Sequence, residues 1–158
     1  MLDKKDRAII SFLQYDGRTP YTKIASELSI TEGSVRHRVK RMIDSGQLQI
    51  VGIVPPEEMG LYEAGMIGIN VQANRIAEAA EAIAQLPEVA YLFQAAGEFD
   101  LFAEVYCKDK DHFVSFLNNE LQKTPGVDRT QSFIILKMHK LSYRWGNTDI
   151  PPKEIIDS

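Results

Sequence analysis

The sequence contains little of what disulfide-rich, metal-binding or membrane-spanning proteins need. Its one cysteine, Cys107, excludes an internal disulfide and argues against a zinc site built on cysteine. Its histidines, His37, His112 and His139, fall on different predicted elements and lack ligand spacing. No apolar run approaches the roughly 18 residues of a membrane helix, and the N-terminus lacks the apolar core of a signal peptide. We therefore expect a cytoplasmic protein with no membrane association and no cofactors.

Signatures of the common enzyme classes are absent as well. The chain has no glycine-rich phosphate loop, no nucleophile elbow and no paired-carboxylate motif. Because catalysis requires reactive groups in mutual reach, we predict that the protein is not an enzyme.

The sequence does contain an uneven distribution of charge. Its 158 residues are 44% hydrophobic and 25% charged, which predicts a globular protein of one large or two small domains. Residues 1–50 carry a net charge of +3 and residues 51–158 carry −7, which together give the total of −4. This asymmetry indicates that only the N-terminal part approaches phosphate groups.

The N-terminal part predicts three short helices. Asp3 is suited to cap the first, which should end near Asp16-Gly17, where glycine allows a left-handed turn. Thr19 is expected to cap the second helix with Pro20 at its first position, and Thr31 to cap the third. The expected apolar positions at helical spacing are Ile9, Ile10, Leu13, Ile24, Ala25, Leu28, Val35, Val39, Met42 and Ile43.

The third helix has the character of a DNA-recognition helix. It follows the second after a tight turn, which predicts a helix-turn-helix with a basic face directed outward. Arg36 is suited to a guanine edge, and Ser34 and His37 to bases or phosphates. Lys40 and Arg41 are suited to phosphates, which position a protein without reading sequence. The predicted DNA-binding set is Thr31, Ser34, Arg36, His37, Arg38, Lys40 and Arg41.

Within this set Arg38 lies nearer the apolar seam. It is therefore also a candidate to stabilise the fold through an acidic partner. A small three-helix domain with a merely solvated basic face is the alternative interpretation. The capped third helix and the tight turn before it favour DNA binding.

The rest of the chain predicts a ferredoxin-like sandwich. A short strand over Gln47–Val54 and a linker at Pro55-Pro56 come first. The order strand, helix, strand, strand, helix, strand follows, and Leu86-Pro87-Glu88-Val89 is echoed by Thr124-Pro125-Gly126-Val127. Two such βαβ halves predict the α+β fold class. The expected elements are strands 66–71, 89–96, 101–107 and 129–136, helices 75–86 and 111–121, and a turn at 97–100.

One face of this predicted sheet lacks a cover. Both helices lie on the other face, so the residues that alternate away from them are left without a partner. Exposed aromatic side chains on a sheet favour dimerisation. The uncovered residues are Phe102, Glu104, Tyr106, Gln131 and Phe133, or their neighbours.

Several short motifs occur in a characteristic order between Leu2 and Lys137. They are Leu2-Asp3, Asp6, Asp16-Gly17-Arg18, Val35, Arg38, Val39, Gly46, Pro87-Glu88-Val89, Gly97-Glu98-Phe99-Asp100, Pro125-Gly126-Val127 and Thr130. With these spacings the chain resembles the Lrp/AsnC family of bacterial and archaeal transcription regulators. The resemblance implies a sequence-specific regulator that binds double-stranded DNA through an N-terminal winged helix-turn-helix. It also implies a C-terminal regulatory domain and a homodimer, often assembled into tetramers or octamers.

The predicted domain boundaries follow from the composition and this resemblance together. Residues 1–50 form the DNA-binding domain and residues 51–61 a strand and linker. Residues 62–140 form the effector-binding and oligomerisation domain. The tail, residues 141–158, departs from the compact ending of the family.

The resemblance also implies an effector site. In the family, small effectors, commonly amino acids, bind between dimers near a Gly-acidic-aromatic-Asp turn. Here this implies Gly97, Glu98 and Asp100, with Thr130 and Ser132 as paired hydroxyls. A free amino group would suit Asp100, and backbone N–H groups and hydroxyls would suit an α-carboxylate. A glycine-containing turn needs no ligand, so the existence of an effector stays open.

Two other classes of function also stay open. Sirohaem decarboxylases share the two-domain layout but carry a Trp-Pro-Tyr-Asn type motif, where this chain has Gly97-Glu98-Phe99-Asp100. A stand-alone metabolite-sensing module that has lost DNA binding is the second.

Overall fold

The computed structural model describes residues 1–144, which form two compact units. The first contains residues 1–53 together with 140–144, and the second contains residues 54–139. Most of the predicted tail, including Trp145 and Pro151-Pro152, lies outside the described residues. Within them, no helix combines the length and the apolar character that crossing a membrane requires.

The first unit consists of three helices, α1 (Lys4–Tyr15), α2 (Tyr21–Glu27) and α3 (Glu32–Asp44). Their apolar faces meet in one core, because residues three and four apart lie on the same side of a helix. This confirms the central part of the seam predicted for α3. The buried residues are Ile9, Phe12, Leu13, Ile24, Ala25, Val35, Val39 and Met42.

Hydrogen bonds at the helix ends determine where α1 and α3 begin. Asp3 forms a capping box with Asp6, in which each carboxylate accepts the other residue's backbone N–H, at 2.8 and 3.1 Å. Thr31 Oγ1 accepts the backbone N–H of Ser34 at 3.2 Å. The tight turn before Thr31 contains Ser29, whose φ of 51° lies in the left-handed region. These contacts confirm the caps predicted at Asp3 and Thr31.

Three local predictions for this unit are wrong. Thr19 does not cap α2, because its hydroxyl donates to the carbonyl of Asp16 at 2.7 Å and Pro20 occupies the cap position. Gly17 is not among the glycines with positive φ, and the extended backbone of Asp16 ends α1 instead. Ile43 is 45% exposed, because at about 100° per residue it lies at the margin of the α3 seam.

The strand predicted over Gln47–Val54 is also absent from the described structure. These residues form no strand, and the apolar side chains of Ile50, Val51 and Ile53 are 44%, 69% and 57% exposed. A strand exists only when another strand satisfies its backbone groups. No segment of the described chain does so here, and the helix-turn-helix therefore lacks the predicted wing.

The second unit is a four-stranded antiparallel sheet with two helices on one face. Its strand order, β2-β3-β1-β4, and its βαββαβ sequence confirm the predicted α+β ferredoxin-like sandwich. Two short 3-10 helices accompany these elements, at Pro56–Met59 and Leu121–Lys123. The main elements are β1 (Glu63–Val71), α4 (Ile76–Ile83), β2 (Val89–Gln94), β3 (Leu101–Cys107), α5 (Lys110–Asn119) and β4 (Val127–Ile134).

The core of the sandwich lies between the sheet and the helices. Alternate residues of β1 and β3 face α4 and α5, as the period of two predicts. Gly65 allows α5 to approach, because a Cβ at this position would lie 2.8 Å from the ring of Phe113. The buried residues are Ile67, Ile69, Val71, Ala79, Ile83, Leu101, Ala103, Val105, Cys107, Phe113, Phe116 and Leu121.

Candidate DNA-binding helix and effector site

The outward face of α3 carries several of the residues predicted to bind DNA. Arg36, His37, Lys40 and Arg41 are exposed, and Ser34 is half-buried beside the cap. A Cβ added at Gly33 would meet nothing within 4 Å, so the first turn of α3 presents bare backbone. Such a surface allows close approach of a polyanion to the positive end of the helix.

Two arginines on the flank of α3 share one buried carboxylate. Arg38 Nη1 donates to Asp3 Oδ2 at 2.7 Å and to Asp6 Oδ1 at 2.8 Å. Arg41 Nη2 donates to Asp6 Oδ2 at 2.6 Å. The Asp6 side chain is 1% exposed, whereas that of Arg41 remains 49% exposed. Arg38 therefore has the acidic partner that its position near the seam predicts, and Arg41 is held in the same way.

These contacts change the acidity of both carboxyl groups. The pKa of Asp3 is lowered to about 2, first by the hydrogen bond from the backbone of Asp6 and then by Arg38. Burial acts to raise the pKa of Asp6, but the Asp3 backbone, Arg38 and Arg41 outweigh it and lower this pKa. Both groups therefore stay ionised in neutral solution and keep the arginines in place.

The other two cations of α3 pair with carboxylates of the same helix. Arg36 pairs with Glu32, and Lys40 Nζ donates to Asp44 Oδ2 at 2.6 Å. The guanidinium of Arg36 also lies 5.6 Å from the centre of the Tyr21 ring. Beyond it a surface pocket is lined by His37, Lys40, Arg41, Asp44 and Ser45. Each of the four Lys and Arg side chains of α3 thus has a carboxylate partner.

The turn between β2 and β3 contains three predicted effector residues. Asp100 is held by the sheet, because its carboxylate accepts the backbone N–H of Val71 at 2.8 Å and its own N–H donates to Ile69 at 3.0 Å. The expectation that this carboxylate awaits an amino group therefore needs correction, since one oxygen already has a backbone partner. A Cβ at Gly97 would meet nothing within 4 Å, so this part of the turn is open.

Glu98 is the accessible acid of the turn, and it has a basic neighbour. Its side chain is 72% exposed, and its Oε1 lies 3.6 Å from Nη2 of Arg129. Asn70 donates from its side-chain amide to the Glu98 carbonyl at 2.7 Å. Asn70 and Arg129 were not predicted, because only the register of β1 and β4 places them opposite each other.

Phe99 fixes this turn to the open face of the sheet. It is 6% exposed, and a Cβ added at Gly68 would lie 2.7 Å from its ring. Glycine at position 68 therefore makes room for the aromatic side chain. Arg129 lies over the same ring, at 6.0 Å from its centre.

The structure separates the two predicted hydroxyl residues from that pair. Thr130 and Ser132 lie opposite Ile69 and Ile67 of β1, which places them on the side of the sheet that the helices cover. Thr130 Oγ1 accepts from Gln122 at 3.1 Å. Because successive strand residues face opposite sides, Arg129 points the other way. The predicted set therefore does not converge into one pocket within a single chain.

The open face carries the aromatic residues that its alternation predicts. Phe102 stacks on Phe93 with ring centres 5.6 Å apart, and Phe99 contacts both Phe102 and Phe133 edge to face. Phe93 and Phe133 remain 45% and 44% exposed. This face is a continuous aromatic surface on an antiparallel sheet.

The two units correspond to two domains of known type. Residues 2–43 match the AsnC-type helix-turn-helix domain, and residues 65–145 match the Lrp/AsnC ligand binding domain. The chain belongs to the Lrp/AsnC family. As a member of this family it is a DNA-binding transcriptional regulator with a ligand-binding domain.

Relatives of similar length support this membership in the Lrp/AsnC family. An uncharacterized HTH-type transcriptional regulator of Pyrococcus furiosus is 35% identical over 144 residues, which are 90% of this chain and 97% of that protein. The HTH-type transcriptional regulator FL11 of Pyrococcus abyssi is 32% identical over 140 residues, with 88% and 92% covered.

Solved structures of the family have the same architecture. Escherichia coli AsnC superposes with a TM-score of 0.78 at 25% identity, over 89% of this chain and 96% of AsnC. A transcriptional regulator of Neisseria meningitidis in complex with L-Met gives a TM-score of 0.78 at 26% identity, with 98% and 99% covered.

Proposed function

We propose that α3 enters the major groove, with Ser34, Arg36 and His37 near base edges and Lys40 on a phosphate. The observation that carries this proposal is the Thr31-capped helix with an exposed basic face that follows α2 after a tight turn. A single helix reads only a few bases. Arg38 acts indirectly, because it holds α3 against α1, while the half-exposed Arg41 adds a secondary phosphate contact.

The proposed active form is a homodimer or a higher assembly in the cytoplasm, and it catalyses no reaction. The aromatic open face of the sheet supports this assembly, because a second copy would remove Phe93 and Phe133 from water. The dimer would place two recognition helices about one turn of DNA apart, or a multiple of it. A stable monomer in sedimentation at micromolar concentration would contradict this part of the proposal.

The DNA-binding role of α3 can be tested with the full chain and a duplex that it selects from a random pool. Arg36→Ala and Lys40→Ala should each weaken binding at least several-fold, whereas Lys123→Ala in the sandwich should not. Loss of one phosphate contact at Lys40 should reduce the slope of log K against log salt by about 0.9. Unchanged binding in both α3 variants would exclude this helix as the DNA-reading element.

We also propose that the sandwich binds a small amino acid at the turn of residues 97–100. Glu98 would accept the ammonium group, and Arg129 would bind the carboxylate with charge-assisted hydrogen bonds. Their separation of 3.6 Å across an exposed surface supports the pairing. Thr130 and Ser132 would contribute from another subunit or would act only in packing. Bound effector would favour one assembly over another and thereby change the DNA geometry.

Calorimetry with L-Met and the other amino acids tests the effector proposal. Glu98→Gln and Arg129→Gln should each abolish any heat of binding, whereas Glu81→Gln on α4 should preserve it. Retained binding in both turn variants would place the effector elsewhere, and no heat from any amino acid would overturn the proposed effector class.

A further inference from the structure

The recognition helix carries its own carboxylate partner for each of its two outermost cations. Glu32 lies one turn before Arg36, and Asp44 lies one turn after Lys40. All four side chains are between 42% and 73% exposed. Exposed pairs of this kind contribute little to folding. Their position on the surface that faces DNA gives them a different consequence, which is competition with phosphate.

Asp44 lies where this competition is most direct. It lines the same surface pocket as His37, Lys40, Arg41 and Ser45. Basic side chains and a hydroxyl around a shallow pocket are the groups that contact phosphate oxygens in protein–DNA complexes. The carboxylate of Asp44 offers Lys40 the same kind of acceptor, at 2.6 Å, within that pocket.

At the other end of α3, Arg36 is engaged twice. Its guanidinium pairs with Glu32 and also lies over the ring of Tyr21 on α2. To bind DNA it has to exchange the carboxylate for a base edge or a phosphate. The gain on binding is the difference between the two contacts, which is smaller than the full value of the new one.

We propose that Glu32 and Asp44 are affinity-limiting residues, which compete intramolecularly with DNA for Arg36 and Lys40. This inference rests on the proposed DNA-binding role of α3. Because each helix starts partly neutralised, one copy binds weakly, and tight binding requires several copies to act together. DNA occupancy then depends steeply on the state of assembly, which is the property that a regulatory domain can change.

The test uses fluorescence anisotropy of the full chain on a duplex that the wild-type protein selects from a random pool, at fixed salt. An exposed ion pair corresponds to about a twofold change in an equilibrium constant. Glu32→Gln or Asp44→Asn should therefore tighten binding about fourfold in a dimer, and both together by more than tenfold. The control is Glu27→Gln on α2, which removes an exposed carboxylate that has no ion pair within the described residues.

A double-mutant cycle separates competition from simple repulsion of DNA. If Asp44 acts on Lys40, Asp44→Asn should have no more effect than the Glu27→Gln control once Lys40 is alanine. An undiminished effect of Asp44→Asn in that background would overturn the inference, as would an effect equal to the control in the wild-type background. Lys40→Ala alone reports on the proposed function, so a weaker Lys40→Ala protein without coupling would defeat only the competition.

Discussion

In the helical unit a carboxylate, Asp6, is buried to 1% exposure between two arginines, whereas the sandwich buries no charged side chain among the described residues. The three short helices share a small core, and polar contacts fix the position of α3 relative to α1. The sandwich fixes its elements by apolar packing between a sheet and two longer helices. The comparison teaches that the DNA-facing part is held by charge and the regulatory part by volume.

The largest effect is expected where volume is removed from the sandwich. Phe116 is 1% exposed on α5, so Phe116→Ala should lower its free energy of unfolding by about 4 kcal/mol, because a cavity remains. Val114→Ala on the same helix, at 45% exposure, is the control. Urea unfolding measures the loss, and segment-resolved hydrogen exchange assigns it to the sheet. A loss as small as that of the control would contradict the packing account.

A smaller effect is expected from the polar contact in the helical unit. Asp6→Asn removes the charge that holds Arg38 and Arg41 and weakens the capping box of α1. We expect a loss of about 2 kcal/mol, confined by hydrogen exchange to residues 1–53. Asp16→Asn, which removes an exposed charge from the same unit, should cost much less. Equal losses in the two variants would show that Asp6 does not anchor α3.

Acid should act on the helical unit through the same carboxylates. The folded pKa values of Asp3 and Asp6 lie below their ordinary value of 3.8. Their contribution is therefore present above about pH 4 and is lost as the pH falls toward 2. Glu78, whose pKa the neighbouring Arg75 lowers, gives the sandwich a single carboxylate of this kind. Hydrogen exchange at pH 3 should show faster opening of α1 and α3, and Asp6→Asn should reduce this pH dependence.

The smallest effect concerns Cys107 and has the opposite sign with pH. Burial raises its pKa to about 11, with help from the charges of Glu88, Glu63 and Asp109. The sandwich should therefore lose stability only as the pH rises from about 9 to about 11. At pH 8 a maleimide should label this single thiol only after unfolding. Rapid labelling of the native chain would refute the burial of β3.

Local patterns predicted the elements of both units well, because spacing along the chain determines which residues share a face. The buried seam of Val35, Val39 and Met42 and the alternation through β3 are examples. The absent strand at Gln47–Val54 shows the limit of such patterns. Apolar alternation was present there, but pairing depends on a partner strand that local sequence does not specify.

The candidate sites were harder to predict than the fold. The pairing of Arg41 with Asp6 joins positions 35 residues apart, and the proximity of Arg129 to Glu98 depends on how three strands align. The hydroxyl of Thr130 was assigned to the effector turn by motif alone. The register of β4 against β1 places it on the helix-covered side instead.

By itself the sequence determined the two domain types, their helices and strands and the basic character of α3. These properties follow from residue type and from spacing within a few turns. Only the tertiary structure decided that Asp6 holds Arg38 and Arg41, and that Glu98 faces Arg129. Such pairs depend on packing angles and strand register, which many weak contacts set together, and no short stretch of sequence encodes them.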